Sequence, residues 1–288
     1  SERHAYQKGF EAFKEMIESE SNNEILVQIF PSEQLGAEEH ISEMTKLGAI
    51  AGAAQSFAGG LSPFVPEADI FNLPFAFENM EHFYSKLDGH IGKKIAGKVE
   101  NKLDSIVLGY WFSGVRHAWN KHKPILTPED FKGLKIRVMG SPLFVNTFNA
   151  LGAQATPMAF GEVYYGLSQG VIDGAETDFV DLLNKKFYEV TKHVSLTGHN
   201  YQAAAFIFSK KQYNNLSKEH QDLVLKAGKH SVNIQRLAME EMESTAYQEL
   251  VSLGLNFYPI DTQIFREKVR TVYTDSANKF GNKSLIEE

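Results

Sequence analysis

The side chains with most chemistry to offer lie between Gly133 and Asp178. Lys135-Ile136-Arg137-Val138 alternates basic and apolar residues, the pattern of a short half-buried strand. On that pattern Ile136 and Val138 face a core, while Lys135 and Arg137 face away. Gly140-Ser141-Pro142 follows, with Ser141 suited to a helix N-cap and Pro142 to the first helical position. Phe144, Phe148 and Leu151 then recur at helical spacing. Such a strand delivers Arg137 beside a helix N-terminus, where guanidinium and helix dipole both favour an anion. The competing reading is a solvated arginine on an edge strand.

Other chemistry finds less support. Gly166-Leu167-Ser168-Gln169-Gly170 matches the G-x-S-x-G pattern of a hydrolase nucleophile elbow, which needs a strand before its serine and a helix after it. Phe160 to Gln169 instead reads as a helix with Val163, Tyr164 and Leu167 on one face and Gly170 as its stop, which puts Ser168 in the last turn. The 10 histidines show no HExxH pair and no cluster at ligand spacing, and cysteine is absent, which removes thiolate metal sites and disulfides together. His117 and His122 flank Trp119 in what reads as a polar surface loop. Asp173-Gly174 reads as a turn ending a short strand, Val171-Ile172. With neither a Walker loop nor GxGxxG, no nucleotide, cofactor or metal is expected.

The elements that must position Arg137 alternate between helix and strand. Residues 4–18 carry Ala5, Phe10, Phe13 and Ile17 on one helical face. Glu24 to Phe30 reads as a strand stopped by Pro31, and Glu38 to Leu47 as a helix ended by Gly48. Ala49 to Ala58 reads as a small-residue strand, 65–75 as a proline-marked aromatic loop, Tyr84 to Val99 as a helix, and Ile106 to Phe112 as a buried strand. Thr127 caps a helical turn at Pro128-Glu129-Asp130-Phe131, and Ala203 to Ser209 is a further apolar strand. This alternation predicts an α/β fold around a mostly parallel sheet. Leu216 to Leu253 holds an apolar stripe (Val224, Ala227, Ile234, Ala238, Met242, Ala246, Leu250) with Ser217 as cap, Gly254 as stop and Gly228 inside it. Unbroken, it spans on the order of 55 Å at ~1.5 Å per residue, enough to cross two lobes; the alternative is a break at Gly228. The chain's 288 residues allow one large domain or two ordinary ones, and 43% hydrophobic residues supply a core. A net charge of −7 without a dense basic cluster argues against nucleic acid as a partner. No apolar run approaches the ~20 residues that span a bilayer.

At the central stretch these features resemble a known family. DFKGLKIRVMGSPLFVNTFNALGAQATPMAFGEVYYGLSQGVIDGAE, followed by KKFYEVTKHVSLTGH, is similar to the substrate-binding protein of a tripartite ATP-independent periplasmic (TRAP) transporter of the DctP type. IFPSEQLGAEEH, VPEADIFNLPFAFEN and SGVRHAW extend the resemblance over essentially the whole chain. It implies a two-lobe periplasmic binding protein fold, with a ligand cleft between the lobes and one long helix spanning both. The expected lobes are discontinuous: 1–114 plus 203–242, and 115–202 plus 243–288. The implied function is capture of a small organic acid, best a sugar acid or other hydroxylated carboxylate, for a membrane permease; a C4-dicarboxylate or keto-acid receptor is the alternative. The α/β hydrolase using Ser168 is the rival from another class.

The resemblance places the ligand carboxylate on Arg137, a second basic residue at Arg116 and an aromatic surface at Phe160. It puts His199, Glu38, Gln55 and Ser56 at further ligand-lining positions. Thr177 stands where many members have asparagine, and Asp178 follows it, so both join the expected site while leaving ligand identity open. The expected protein is a monomeric periplasmic receptor, not an enzyme. Its N-terminus, SERHAYQKGFEAFKEM, lacks the apolar stretch of a signal peptide, which a processed chain would explain.

Overall fold

The computed structural model describes residues 5–32 and 34–280, with side chains through Ser276. His4, where the sequence places the first helical residue, lies outside them. Among the described residues there are seven strands: β1 (Gly52–Ser56), β2 (Ser105–Asn120), β3 (Lys135–Val138), β4 (Gln154–Pro157), β5 (Gly174–Thr177), β6 (His193–Ser209) and β7 (Asn256–Tyr258). The chain divides into two units. One draws on Ser1–Ala68, Tyr84–Ser113 and Ala203–Met242, the other on Asp69–Phe83, Gly114–Gln202 and Glu243–Glu288. Residues 69–83 thus belong with the second unit rather than staying with 1–114. The strands β2 and β6 and the helix Lys218–Ser252 each contribute residues to both units.

In the first unit β1 pairs antiparallel with the end of β6, from Gly52↔Phe208 to Ser56↔Ala204. Phe13 and Ile17 of the helix Ala5–Glu20 meet Leu108 and Trp111 of β2, Phe206 and Phe208 of β6, and Leu223, Val224 and Ala227 of the long helix in one core. Tilted and edge-on ring contacts fill it; the Phe10 and Trp111 centroids lie 4.8 Å apart at 71°. The helix Lys218–Ser252 runs unbroken for 35 residues. Gly228 does not interrupt it, because its missing side chain is a packing requirement: a Cβ there would lie 2.7 Å from Leu108 Cβ.

The apolar stripe of this helix needs one correction. Ile234 is exposed, and the inward positions beside it are the polar Ser231 and Gln235, both fully buried. Each is satisfied. Ser231 Oγ donates to the Gly228 carbonyl at 2.7 Å. Gln235 Oε1 accepts from Phe112 N at 2.8 Å, and its Nε2 donates to Phe112 O at 2.7 Å, so the amide acts as a strand partner for β2.

Three other boundaries differ from the sequence pattern. Glu24 to Phe30 forms no strand: Val27 N donates to Glu18 Oε1 and Val27 O accepts from Lys14 Nζ, so helix side chains take its main-chain bonds. The Ala49–Ala58 strand shortens to β1, because Phe57–Leu61 coils into a π-helical turn capped by Ser56, whose Oγ accepts from Gly59 N. Tyr84 to Val99 is two helices, Met80–Leu87 and His90–Leu103, which Asp88-Gly89 separates.

In the second unit β3 pairs parallel with β4 and β5, β5 pairs antiparallel with the end of β2, and β7 pairs parallel with β6. The helix Pro142–Leu151 makes the crossover from β3 to β4. Ser141 Oγ caps it by accepting from Leu143 N at 3.2 Å, Pro142 opens it, and Gly152 ends it at φ +103. Its Phe144, Phe148 and Leu151 are buried, as their spacing predicts. Val171 and Ile172 form no strand; the ladder begins at Gly174. Among the described residues no helix is long and apolar enough to cross a membrane.

The Gly228 contact yields a prediction. Alanine normally stabilises a helix interior by ~1 kcal/mol over glycine. Here the overlap with the Leu108 stem outweighs that gain, and Gly228→Ala should lower stability by about 1–2 kcal/mol in urea unfolding. A stabilised variant would contradict this packing.

Candidate functional site

Arg137 sits on β3 opposite Thr156 of β4 and Ala175 of β5. The alternation of Lys135-Ile136-Arg137-Val138 suggests that this side chain is solvated. It is not: Lys135 is exposed, but Arg137 is only 4% exposed. Its Nε donates to the Met158 carbonyl at 2.9 Å, which fixes the plane of the guanidinium. Its Cζ lies 5.5 Å from the centroid of the half-buried Phe160 ring, and Lys185 Nζ lies 5.3 Å from the same ring. Among the described residues, no carboxylate forms an ion pair with Arg137. Burial pushes its pKa down to about 10, although Glu176 acts in the opposite direction. The group therefore stays charged at neutral pH, desolvated and without an anion of its own.

Arg116 presents the opposite case. It is 5% exposed, and its Nε donates to Glu176 Oε2 while an Nη donates to the Glu176 carbonyl at 2.7 Å. The register explains the meeting: β2 and β5 are antiparallel with Ala118 opposite Glu176. Glu176 is fully buried, which raises its pKa, but the Arg116 guanidinium and His199 together outweigh burial and hold it down at about 2. His199, from β6, is 2% exposed, with Nε2 3.4 Å from Glu176 Oε2. That separation falls within ion-pair range, but the approach lacks hydrogen-bond geometry and Nε2 has no hydrogen-bond partner among the described residues. Burial lowers the His199 pKa despite Glu176, so the ring is neutral. Thr197 Oγ1 accepts from Ala118 N at 3.0 Å and meets His199 Nδ1 at 2.8 Å. When Thr197 donates to Nδ1, the ring proton sits on Nε2, facing the glutamate.

Thr177 and Asp178 end β5 and begin the helix Phe179–Asn184. Both are 1% exposed and turned to local work. Asp178 Oδ1 accepts from Asp181 N at 2.8 Å as the N-cap, and Thr177 Oγ1 donates to Asp178 Oδ2 at 3.2 Å. The same helix start has a second acidic cap that sequence reading missed. Glu243 of the long helix accepts from Phe179 N at 3.1 Å and Val180 N at 3.3 Å through one oxygen. Its position on the apolar side of that helix was the available signal. Burial first, and then the neighbouring Asp181, drive its pKa up to about 7, against its backbone donors. Burial and the same neighbours hold Asp178 well above the usual carboxylate range.

In the first unit Glu38, Gln55 and Ser56 form a separate group. Glu38 accepts from Ser56 N at 3.0 Å and Ser56 Oγ at 2.7 Å. Gln55 is fully buried, and neither end of its amide meets a partner among the described residues. Gly59 and Gly60 make room for the group: a Cβ on Gly60 would overlap the Gln55 amide, and one on Gly59 would overlap the Glu38 carboxylate.

Two sequence readings are settled. Ser168 Oγ donates to Tyr164 O at 2.8 Å on the exposed side of the helix Val163–Ser168, with neither strand nor strained turn before it, so no nucleophile elbow exists. His117 is no loop residue. It lies buried in β2, accepts from Gly198 N at 3.0 Å, stacks on Phe179 at 4.6 Å, and has its pKa pushed to about 3 by burial. Only His122 is at the surface, 2.9 Å from Asp173.

A desolvated arginine on a strand, in an α/β chain of two units, is suited to binding a small anion. Residues 1–279 match the model for bacterial extracellular solute-binding protein, family 7, and the chain belongs to this family of TRAP transporter solute-binding proteins. It is 33% identical over 84% of its length to the 2,3-diketo-L-gulonate-binding periplasmic protein YiaO of Escherichia coli, of which it covers 74%. Among solved structures it is similar to a TRAP periplasmic solute-binding protein from Sulfitobacter with bound β-D-galacturonate (TM-score 0.95, 33% identity, covering 100% of this chain and 95% of that one). It is also similar to one from Chromohalobacter salexigens with bound D-glucuronate (TM-score 0.96, 29% identity, covering 100% and 95%). Proteins of this family bind small acids and work with membrane permease components.

Glu243 gives a pH prediction. Its folded pKa lies above the ordinary 4.5, so its protonation stabilises the fold fully below about 4.5 and that contribution is lost as pH rises through about 7. Glu243→Gln keeps the acceptor oxygen and removes the charge. The fall in melting temperature between pH 5 and 8 should therefore shrink in the variant; an equal fall in both proteins would show that Glu243 is not the titrating group.

Proposed function

We propose that this chain captures a hydroxylated monocarboxylate of the uronate or aldonate type in the periplasm and hands it to a TRAP permease. The observation that carries this reading is the desolvated Arg137 guanidinium without an anion. With Nε committed to Met158, its two Nη groups remain to fork onto one carboxylate. Phe160 offers an apolar ring face to the carbon skeleton beside that carboxylate. The uronates bound by the Sulfitobacter and Chromohalobacter proteins, and the sugar acid named for the E. coli relative, supply the ligand class.

The dicarboxylate alternative needs Arg116 for the second carboxylate, and Glu176 already occupies that guanidinium. Hydroxyls ask for donors and acceptors instead. In the first unit the Gln55 amide, without a partner among the described residues, and the Glu38–Ser56 pair are groups of that kind. On this reading Asp178 contributes chiefly by holding Thr177 and the helix start in place.

Arg137→Ala should weaken D-galacturonate binding by on the order of a thousandfold without unfolding the protein, since a forked, desolvated ion pair contributes several kcal/mol. Arg137→Lys should also bind poorly, because an ammonium cannot fork. Calorimetric titration finding the alanine variant within about threefold of wild type would overturn the assignment. For the first unit, Gln55→Leu should cost about tenfold in galacturonate affinity, and an unchanged value would remove Gln55 from the site.

A further inference from the structure

We infer that Lys185 is the entry cation of this site: it draws an incoming carboxylate to the Phe160 ring, from which the carboxylate passes inward to Arg137. The inference rests on the reading of Arg137 as the carboxylate partner and concerns how an anion reaches it. A net charge of −7 repels an anionic ligand at long range. Arg137, only 4% exposed, offers little surface to a carboxylate still in water. Exposure rises outward along three side chains, from the buried Arg137 through the half-buried Phe160 to the exposed Lys185. Arg137 Cζ lies 5.5 Å and Lys185 Nζ 5.3 Å from the centroid of that one ring. The two charges are therefore at most about 11 Å apart, close to one Debye length at ~0.1 M salt.

The fold imposes this position on Lys185. Three alternate residues that follow the helix Phe179–Asn184 are fixed to the short segment 160–164. Lys185 Nζ meets the Phe160 ring, Phe187 packs edge-on against the same ring at 5.8 Å and 86°, and Glu189 Oε2 accepts from the Tyr164 hydroxyl at 2.6 Å. Phe187 is buried in turn and stacks on Trp119 at 5.2 Å. The main chain is tied at Lys185 itself, whose N–H donates to the Asp181 carbonyl at 3.0 Å. Asp181 stands four residues earlier, the spacing of an ordinary helical ion pair. Yet no ion pair forms between them, and among the described residues Lys185 has no carboxylate partner. The ammonium is held at the ring instead, and its charge is left for an anion. Lys186 is exposed too, but it makes no cation–ring contact among the described residues and adopts a left-handed backbone at φ +57. It carries the same charge one residue away from the ring.

The test is stopped-flow association of D-galacturonate with the full chain at about 0.01 M and about 1 M salt, between which the Debye length falls from ~30 to ~3 Å. Lys185→Met keeps an unbranched stem and removes the charge, and at an exposed position it leaves the fold intact. It should slow association at least about threefold at low salt, leave dissociation unchanged and match wild type at high salt. Lys185→Arg should restore the rate, and Lys186→Met should keep the wild-type rate. An association rate that Lys185→Met leaves unchanged at low salt overturns the inference. A slowing that persists at high salt, or a change confined to dissociation, also overturns it, because either makes Lys185 a packing residue. Equal slowing by Lys186→Met overturns it by assigning the effect to the general field of the protein. Each of these outcomes leaves Arg137 as the carboxylate partner. Wild-type affinity in Arg137→Ala, or a wild type that binds no galacturonate, overturns the reading of Arg137 and this inference together.

Discussion

A buried cation without a counter-ion is the constraint on which the rest of the second unit depends. Removing a guanidinium from water costs several kcal/mol even after the protein relaxes, and that cost is recovered only when an anion arrives. Burial depresses the Arg137 pKa to about 10 but not below neutrality, so the charge stays and the site remains primed. An exposed arginine would gain little from a carboxylate, because water screens the pair and already hydrates both partners. Desolvation in advance is what turns a common side chain into a selective one.

The two arginines show the same chemistry put to two uses. Arg116 spends its charge on Glu176 and serves as fixed structure; Arg137 keeps its charge for a ligand. Strand pairing makes this possible. The parallel pairs formed by β3 with β4 and β5 hold Arg137 rigidly at their ends, and the antiparallel β2–β5 pair brings Arg116 to Glu176. Around them Asp178 and Glu243 accept from the N–H groups that open the helix Phe179–Asn184.

Much of this was legible in the sequence where a local rule and the tertiary packing agree. The bounds of β3, the Ser141 cap, the Pro142 start and the Glu38–Leu47 helix follow from alternation and capping alone. The pattern failed where polar groups are buried with partners distant in sequence. Alternation turned Arg137 away from the core and left a solvated arginine as the competing reading, because the residues that cover it, such as Met158 and Phe160, come from later segments. Gln235 and Ser231 hide inside an apolar stripe because the backbone groups they satisfy cannot be read from that helix. Glu176 carried no signal beyond its place in the family-like stretch, since its role depends on a strand sixty residues earlier in the chain. Resemblance reached Arg116 but not its pairing, and only the pairing decides what Arg116 can still bind.

The central claim is that the ligand's carboxylate is the group this receptor is built to recover. Titration of the wild-type protein with D-galacturonate and with D-galactose, which differ at the carboxylate, measures that directly. Galacturonate should bind and galactose should be weaker by about a thousandfold or more, since the sugar leaves the buried guanidinium unpaired. Galactose binding within about tenfold of galacturonate would contradict the account.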